Sequence, residues 1–325
     1  MHPAFSVIFL TTLIGVGQGL FLALFTGQSY AAVGFVEIPD PRAFYGIGSA
    51  IALAFLVAGL VASIFHLGRP ERAWRAAAQW RTSWLSREVI VLPAFMGAVA
   101  LYGGLHWLGW DPNLLGTENP LQGQLTLFVG ALGTLLAFAL FLCTGMIYAS
   151  LRFLQEWHTP LTVINYTLFG GTSGFILATA FSALHAPNLV ALFATWSTII
   201  LVLVLFSRGA SLLRNARLKP RSTLQSAIGV RHNRIQQKSM GMMGGAFNTR
   251  EFFHGARQSV IRNIRWIFLL LVFAVPLPLL WIGVATDSLA LLLTTFVTHY
   301  LGLIAERWFF FAQANHPQNI YYQTV

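Results

Sequence analysis

Charge is what this sequence has least of. Across 325 residues, Asp, Glu, Lys and Arg make up only 9%, where a soluble domain carries about 25%. That scarcity excludes an ordinary soluble fold. Acids are rarer than bases, 10 against 20, which leaves a formal net charge of +10. Cysteine is nearly absent too. The single thiol, Cys143, excludes an internal disulfide and an iron–sulfur site, which takes about four thiolates. Its place in the middle of an apolar run reads as a small buried core residue. A cleaved leader is not expected, because the first apolar run has no basic segment before it and is too long for that role.

What fills the chain instead is apolar: 56% of residues are hydrophobic and the mean hydropathy is +0.66. Crossing a bilayer takes about 20 mostly apolar residues. Eight such runs are present, near 5–26, 44–66, 88–108, 124–148, 160–184, 188–207, 265–285 and 288–311. The expected fold is all-α, a single polytopic membrane domain with eight transmembrane helices.

The positive charge is confined to alternate loops. With eight spans, the N-terminus, the loops 67–87, 149–159 and 208–264, and the C-terminus share one side, here face A. Nineteen of the 20 Lys and Arg lie on face A or at span ends turned to it; the opposite face has only Arg42. The positive-inside rule then predicts that face A and both termini are cytoplasmic. A basic excess sorted this way speaks for membrane topology, not for nucleic acid.

One stretch stands apart: residues 63–89, SIFHLGRPERAWRAAAQWRTSWLSREV. An apolar helix ends in His66, a run of Arg and Trp follows, and the next apolar helix opens with Glu88. Consecutive spans bring their joined ends to one membrane face, so His66 and Glu88 are expected at one level, near each other. Pro70 suits a first helical turn, with Glu71 behind it. Trp74, Trp80 and Trp84 alternate with Arg72, Arg75 and Arg81. That pattern fits a short helix on anionic lipid and equally a platform for a soluble partner. Arg87 and Glu88 do not face each other as neighbours on a helix, so Glu88 is expected to turn inward.

Elsewhere, Gln18 is polar at membrane depth and fits either an interhelical hydrogen bond or a pocket wall. Gly15, Gly17 and Gly19 admit a close helix, and Gly170 with Gly174 in FGGTSGF forms a second packing face. The 208–264 loop is too long for a simple connection; it reads as a clasp on a partner or a basic tether on acidic lipid. Its 239–248 part, rich in glycine and methionine, reads as irregular. Glu306 and Arg307 need partners inside the membrane. Four histidines at or within spans, His66, His106, His185 and His299, keep a b-type haem cytochrome open, with His106 and His185 as the conceivable axial pair and His66 with His299 as a less favoured one.

The pattern HLGRPERAWRA…QWRTSWLSRE, with the closing AERWFFFAQANHPQNIYY, resembles the membrane-anchor subunit family of dimethyl-sulfoxide reductase, and most nearly its sulfite dehydrogenase (quinone) branch. The resemblance covers essentially the whole chain. It implies no haem, iron–sulfur cluster or metal in this chain. It implies an iron–sulfur subunit and a molybdopterin catalytic subunit docked on the cytoplasmic face of a bacterial inner membrane, with electrons passing to ubiquinone or menaquinone. The family's functional histidine and glutamate match His66 and Glu88. Arg69 and Gln18 are expected at the same quinone site, and Arg72, Arg75, Trp80 and Arg81 at the docking surface.

The chemistry agrees with that implication. Quinone reduction needs groups that hold the ring oxygens and a route for protons. An imidazole with a reference pKa of about 6.5 donates or accepts near neutrality, and Glu88 can relay a proton from face A. An anchor that takes electrons from quinol is the alternative of the same class. A transporter is disfavoured, since charges deep in the spans are few and no internal repeat is visible.

Overall fold

The computed structural model describes residues 5–65, 67–116, 123–219, 221, 223–232, 234–235 and 258–314. His66, residues 236–257 and the tail from 315 lie outside the described residues, and with them the 239–248 expectation. The helices are α1 (Phe5–Ala32), α2 (Pro41–Ile64), α3 (Trp84–Leu108), α4 (Leu125–Ala149), α5 (Pro160–His185), α6 (Val190–Ala216), a short α7 (Leu224–Ile228), α8 (Gln258–Leu269), α9 (Pro276–Ala285) and α10 (Leu289–Ala312). Eight helical segments are long and apolar enough to cross a membrane, α8 and α9 together making the seventh. The all-α, eight-span architecture is as expected. Among the described residues no strand forms; Asn113 and Gln124 make one isolated bridge.

The helix starts follow from capping chemistry. Asp40 accepts from the Ala43 amide ahead of Pro41, Ser83 caps α3, Thr159 caps α5 before Pro160, and Ser288 caps α10. Each supplies an oxygen to amides that have no helical partner.

α1 is the central post, and small residues let its neighbours close on it. A Cβ on Gly19 would fall 2.1 Å from the Gly170 carbonyl oxygen, and one on Gly174 would fall 1.9 Å from the Gly19 carbonyl carbon. Gly15 and Gly19 of α1 and the Gly170–Gly174 pair of α5, expected on separate packing faces, are therefore the two sides of one α1–α5 crossing. Gly17 turns the other way, against Ala52 and Leu56 of α2.

The seventh span is broken for a local reason. Pro276 has no N–H, so the Val272 carbonyl loses its i+4 donor. The chain passes through a π turn at Leu270–Ala274, where Val275 N–H bonds back to Leu270 at 2.9 Å. His299 on α10 takes the freed carbonyl, with Nδ1 3.2 Å from Val272 O. Its Nε2 lies 3.1 Å from Ser173 Oγ. Both ring nitrogens of this fully buried histidine are thus engaged within the protein, which leaves neither for an axial bond to iron.

The start of α1, the α4–α5 loop and the end of α10 meet at one end of the bundle. Ile8, Leu154, Trp157, Phe310 and Phe311 pack together there, and Trp157 Nε1 donates to Phe310 O at 2.9 Å. This is face A. Several boundaries differ from expectation: α1 runs on from 26 to Ala32, α8 begins at Gln258 instead of 265, and α6 does not end at 207 but continues to Ala216, which places Arg208 inside a span.

Candidate functional site

On face A, a 3₁₀ helix, Pro70–Gln79, joins α2 to α3. It lies open: Trp74 is 70% and Trp80 53% exposed. Arg75 sits 5.5 Å from the Trp74 ring, Arg81 5.3 Å from Trp80, and Arg87 4.1 Å from Trp84. Arg87 also fastens the loop to α3, donating from Nε to Trp80 O at 2.9 Å and from Nη2 to Arg81 O at 2.8 Å. Arg72 meets Glu71 at 3.8 Å in solvent, an ion pair worth about 1 kcal/mol or less.

Glu88, one position on from Arg87, turns the other way. Its Oε1 accepts a short hydrogen bond from the Thr144 hydroxyl of α4. Glu88 is half-buried, and it lines an internal cavity with Gln18, Thr11, Thr12, Thr144, Tyr166 and Arg307. The cavity volume is about 10 Å³, room for about one water molecule. A quinone ring does not enter it. Gln18, 2% exposed, donates to Ala137 O at 2.9 Å and also lines this cavity.

Behind the cavity lies a charged cluster. Arg208 Nη2 is 2.8 Å from Glu306 Oε1, and Arg307 Nε is 3.5 Å from Glu306 Oε2. All three side chains are at least 96% buried. Arg307 stacks 3.7 Å above the Tyr166 ring, and Arg208 lies 5.6 Å from Phe268. Arg208 is eight residues from the end of α6, about 12 Å along the axis at 1.5 Å per residue. Nearby, Asn165 donates to Ser211 Oγ at 2.8 Å. Arg208 is the functional candidate that sequence reasoning missed.

The opposite end carries polar groups of another kind. Tyr102 OH donates to Gln28 Oε1 at 2.8 Å, Gln28 Nε2 donates to Thr126 Oγ1 at 2.8 Å, and Thr126 donates to Asp111 at 2.7 Å. Asp111 also accepts from the Thr126 amide at 2.9 Å, so it caps α4. Beside this network opens a recess of about 650 Å³, lined by Gln28, Arg42, Tyr45, His106, Asp111 and Gln124 among others. His106 packs 4.3 Å from the Tyr45 ring and 4.6 Å from Tyr102; His185 packs 4.7 Å from Phe181. Among the described residues no group of three or more His, Cys, Asp or Glu gathers as a metal site.

The family model described as DMSO reductase anchor subunit (DmsC) matches residues 1–312. This chain belongs to the DMSO reductase anchor subunit family. A relative from Allochromatium vinosum, one of the subunits of its sulfite dehydrogenase, is 56% identical over 325 residues and is covered from end to end, as is this chain. The anchor subunit is therefore a multi-pass membrane protein of an oxidoreductase family, as the HLGRPERAW and AERWFFF segments implied.

Within this anchor subunit, the site residues expected from the sequence fall into two groups. Glu88 and Gln18 share one cavity. Arg69, Arg72, Arg75, Trp80 and Arg81 lie on the exposed face-A loop. His66 lies between that loop and α2, outside the described residues.

Proposed function

We propose that this anchor subunit carries electrons from an iron–sulfur partner, docked on a cytoplasmic face A, to quinone in a bacterial inner membrane. The molybdopterin-containing catalytic subunit is a sulfite dehydrogenase in this reading, by likeness to the relative from Allochromatium vinosum. The observation that carries the proposal is Glu88: a half-buried carboxyl at the face-A end of a span, bonded to Thr144, in a cavity of water size.

Quinone, when bound, accepts two electrons and two protons. In this reading His66 holds one ring oxygen and Arg69 contributes to the same site. The size of the inner cavity keeps the ring outside, so Glu88 meets it from its open side and is backed by one water. Thr144 fixes the carboxyl orientation. Gln18 and Arg307 supply polar walls that keep a proton-carrying water in place. The exposed loop with Arg72, Arg75, Trp80 and Arg81 is the docking surface. Its cations favour an acidic partner and speed encounter.

Substituting His66→Ala in the assembled complex tests the reading. Sulfite oxidation linked to a soluble dye should persist while quinone reduction falls by at least a hundredfold. Undiminished quinone turnover in this variant, and in Glu88→Gln, would remove both residues from the site.

A further inference from the structure

We infer that the recess at the end opposite face A is a second binding site, for a neutral quinone or quinol headgroup. The proposed function enters in the choice of ligand and in the binding-only role; the site itself stands on its own geometry.

Two side chains that line the recess are buried and lack partners. Tyr45 is 3% exposed and His106 8% exposed, and among the described residues neither the Tyr45 hydroxyl nor His106 Nε2 has a hydrogen-bond partner. Buried polar atoms in native proteins nearly always have a partner, and each of these two still has a bond to make. Their rings lie 4.3 Å apart, and both residues line the recess. The surrounding network does not use them, because Tyr102, Gln28, Thr126 and Asp111 bond to one another. The volume, about 650 Å³, lies inside the range of about 300–1,000 Å³ usual for small-molecule sites.

The lining selects for a neutral guest. Among the described residues that line it, Arg42 is the cation, held against Gly109, where a Cβ would fall 2.3 Å from its guanidinium. Glu37 and Asp111 are the anions. A phosphate headgroup would meet two carboxylates with a single cation. A flat ring bearing two oxygens meets a hydroxyl, an imidazole and the amide of Gln124, with apolar walls from Val36, Ile38 and Leu105. The same two helices, α2 and α3, also frame an apolar groove of about 430 Å³ lined by small residues such as Gly46, Ser49, Ala50 and Gly103. An isoprenoid tail has somewhere to lie. The role of this site is binding alone, because the electrons arrive at the other end of the bundle.

Equilibrium binding of a short-tailed ubiquinone analogue to the purified complex tests this, with stoichiometry as the readout. Two equivalents per chain are expected. Tyr45→Phe, which keeps the ring packing, and His106→Leu should each weaken one equivalent at least tenfold and leave quinone turnover unchanged. His66→Ala should remove the other equivalent. A single equivalent, indifferent to Tyr45→Phe and His106→Leu, would overturn the second site and leave the face-A reading standing. A single equivalent that disappears with turnover in Tyr45→Phe would overturn both.

Discussion

The two ends of this helical bundle are both polar, but in different ways. At face A the buried groups are ions: Arg208, Glu306 and Arg307, with Glu88 on the adjoining cavity. At the far end they are neutral donors and acceptors closed into a chain from Tyr102 to Thr126, ending on Asp111 at the start of α4. Between the ends lies an apolar layer in which Leu20, Phe21, Leu24, Phe95 and Val99 are fully buried. A neutral network suffices to join helix ends. Buried ions are far costlier, about 2.5–3.5 kcal/mol per charge at a helix centre by insertion scales and more by other estimates. The difference makes face A the end where charge is buried at the greater energetic cost.

The sharpest way to break this contrast is Glu306→Ala. It leaves two buried guanidiniums facing each other, and breaking a buried pair costs about 3–5 kcal/mol. Loss of folded protein from membranes, or a lower unfolding midpoint in detergent, is the expected result. Replacing Arg208, Glu306 and Arg307 together by Met should cost much less, since no buried charge is then left alone; equal losses would show that packing, not charge, is at stake.

Gln28→Leu tests the far end. It strands Tyr102 OH in the core, at about 1–3 kcal/mol for an unsatisfied buried group. The melting midpoint should fall while quinone turnover stays at the parent value. A loss of turnover would blur the distinction between the ends.

Thr144→Val is a finer probe of face A. It removes the hydrogen bond that holds Glu88, with a stability cost of about 1.5–3 kcal/mol at most, the range for a bond to a charged group. Quinone turnover should slow several-fold. The same slowing in Thr126→Val, at the far end, would deny Glu88 its special position.

The smallest effect on the folded chain is expected for Arg72→Glu with Arg75→Glu. Both residues are exposed, and surface changes usually stay within about 0.5 kcal/mol. The anchor should melt as before, yet the soluble subunits should no longer co-purify with it. An intact complex would make the Trp and Arg loop a lipid contact.

Much of the architecture was legible in the sequence because hydropathy and capping act locally. The eight spans, the inward turn of Glu88 and the glycine faces all follow from spacing. Arg208 was not legible: a hydropathy reading ends a span at the first charge, whereas this arginine is drawn in by Glu306, an acid far along the chain. The need of Glu306 and Arg307 for partners could be read, but not which helix supplies them. The role of His299 was hidden likewise. Pro276 announces a carbonyl without a donor, and only the packed structure says which neighbour provides one. The far recess depends on how several helix ends and loops converge, and no local pattern encodes that.

The glycine crossing of α1 and α5 also sets an order of events during synthesis. The first helix leaves the ribosome long before residues 160–185 exist, and until they arrive its Gly15–Gly19 flank is an unfilled slot in the bilayer. A nascent chain stalled in the α4–α5 loop would hold its earliest segment without the companion it was shaped for. Quality-control proteases that sense loosely held helices should find that flank first.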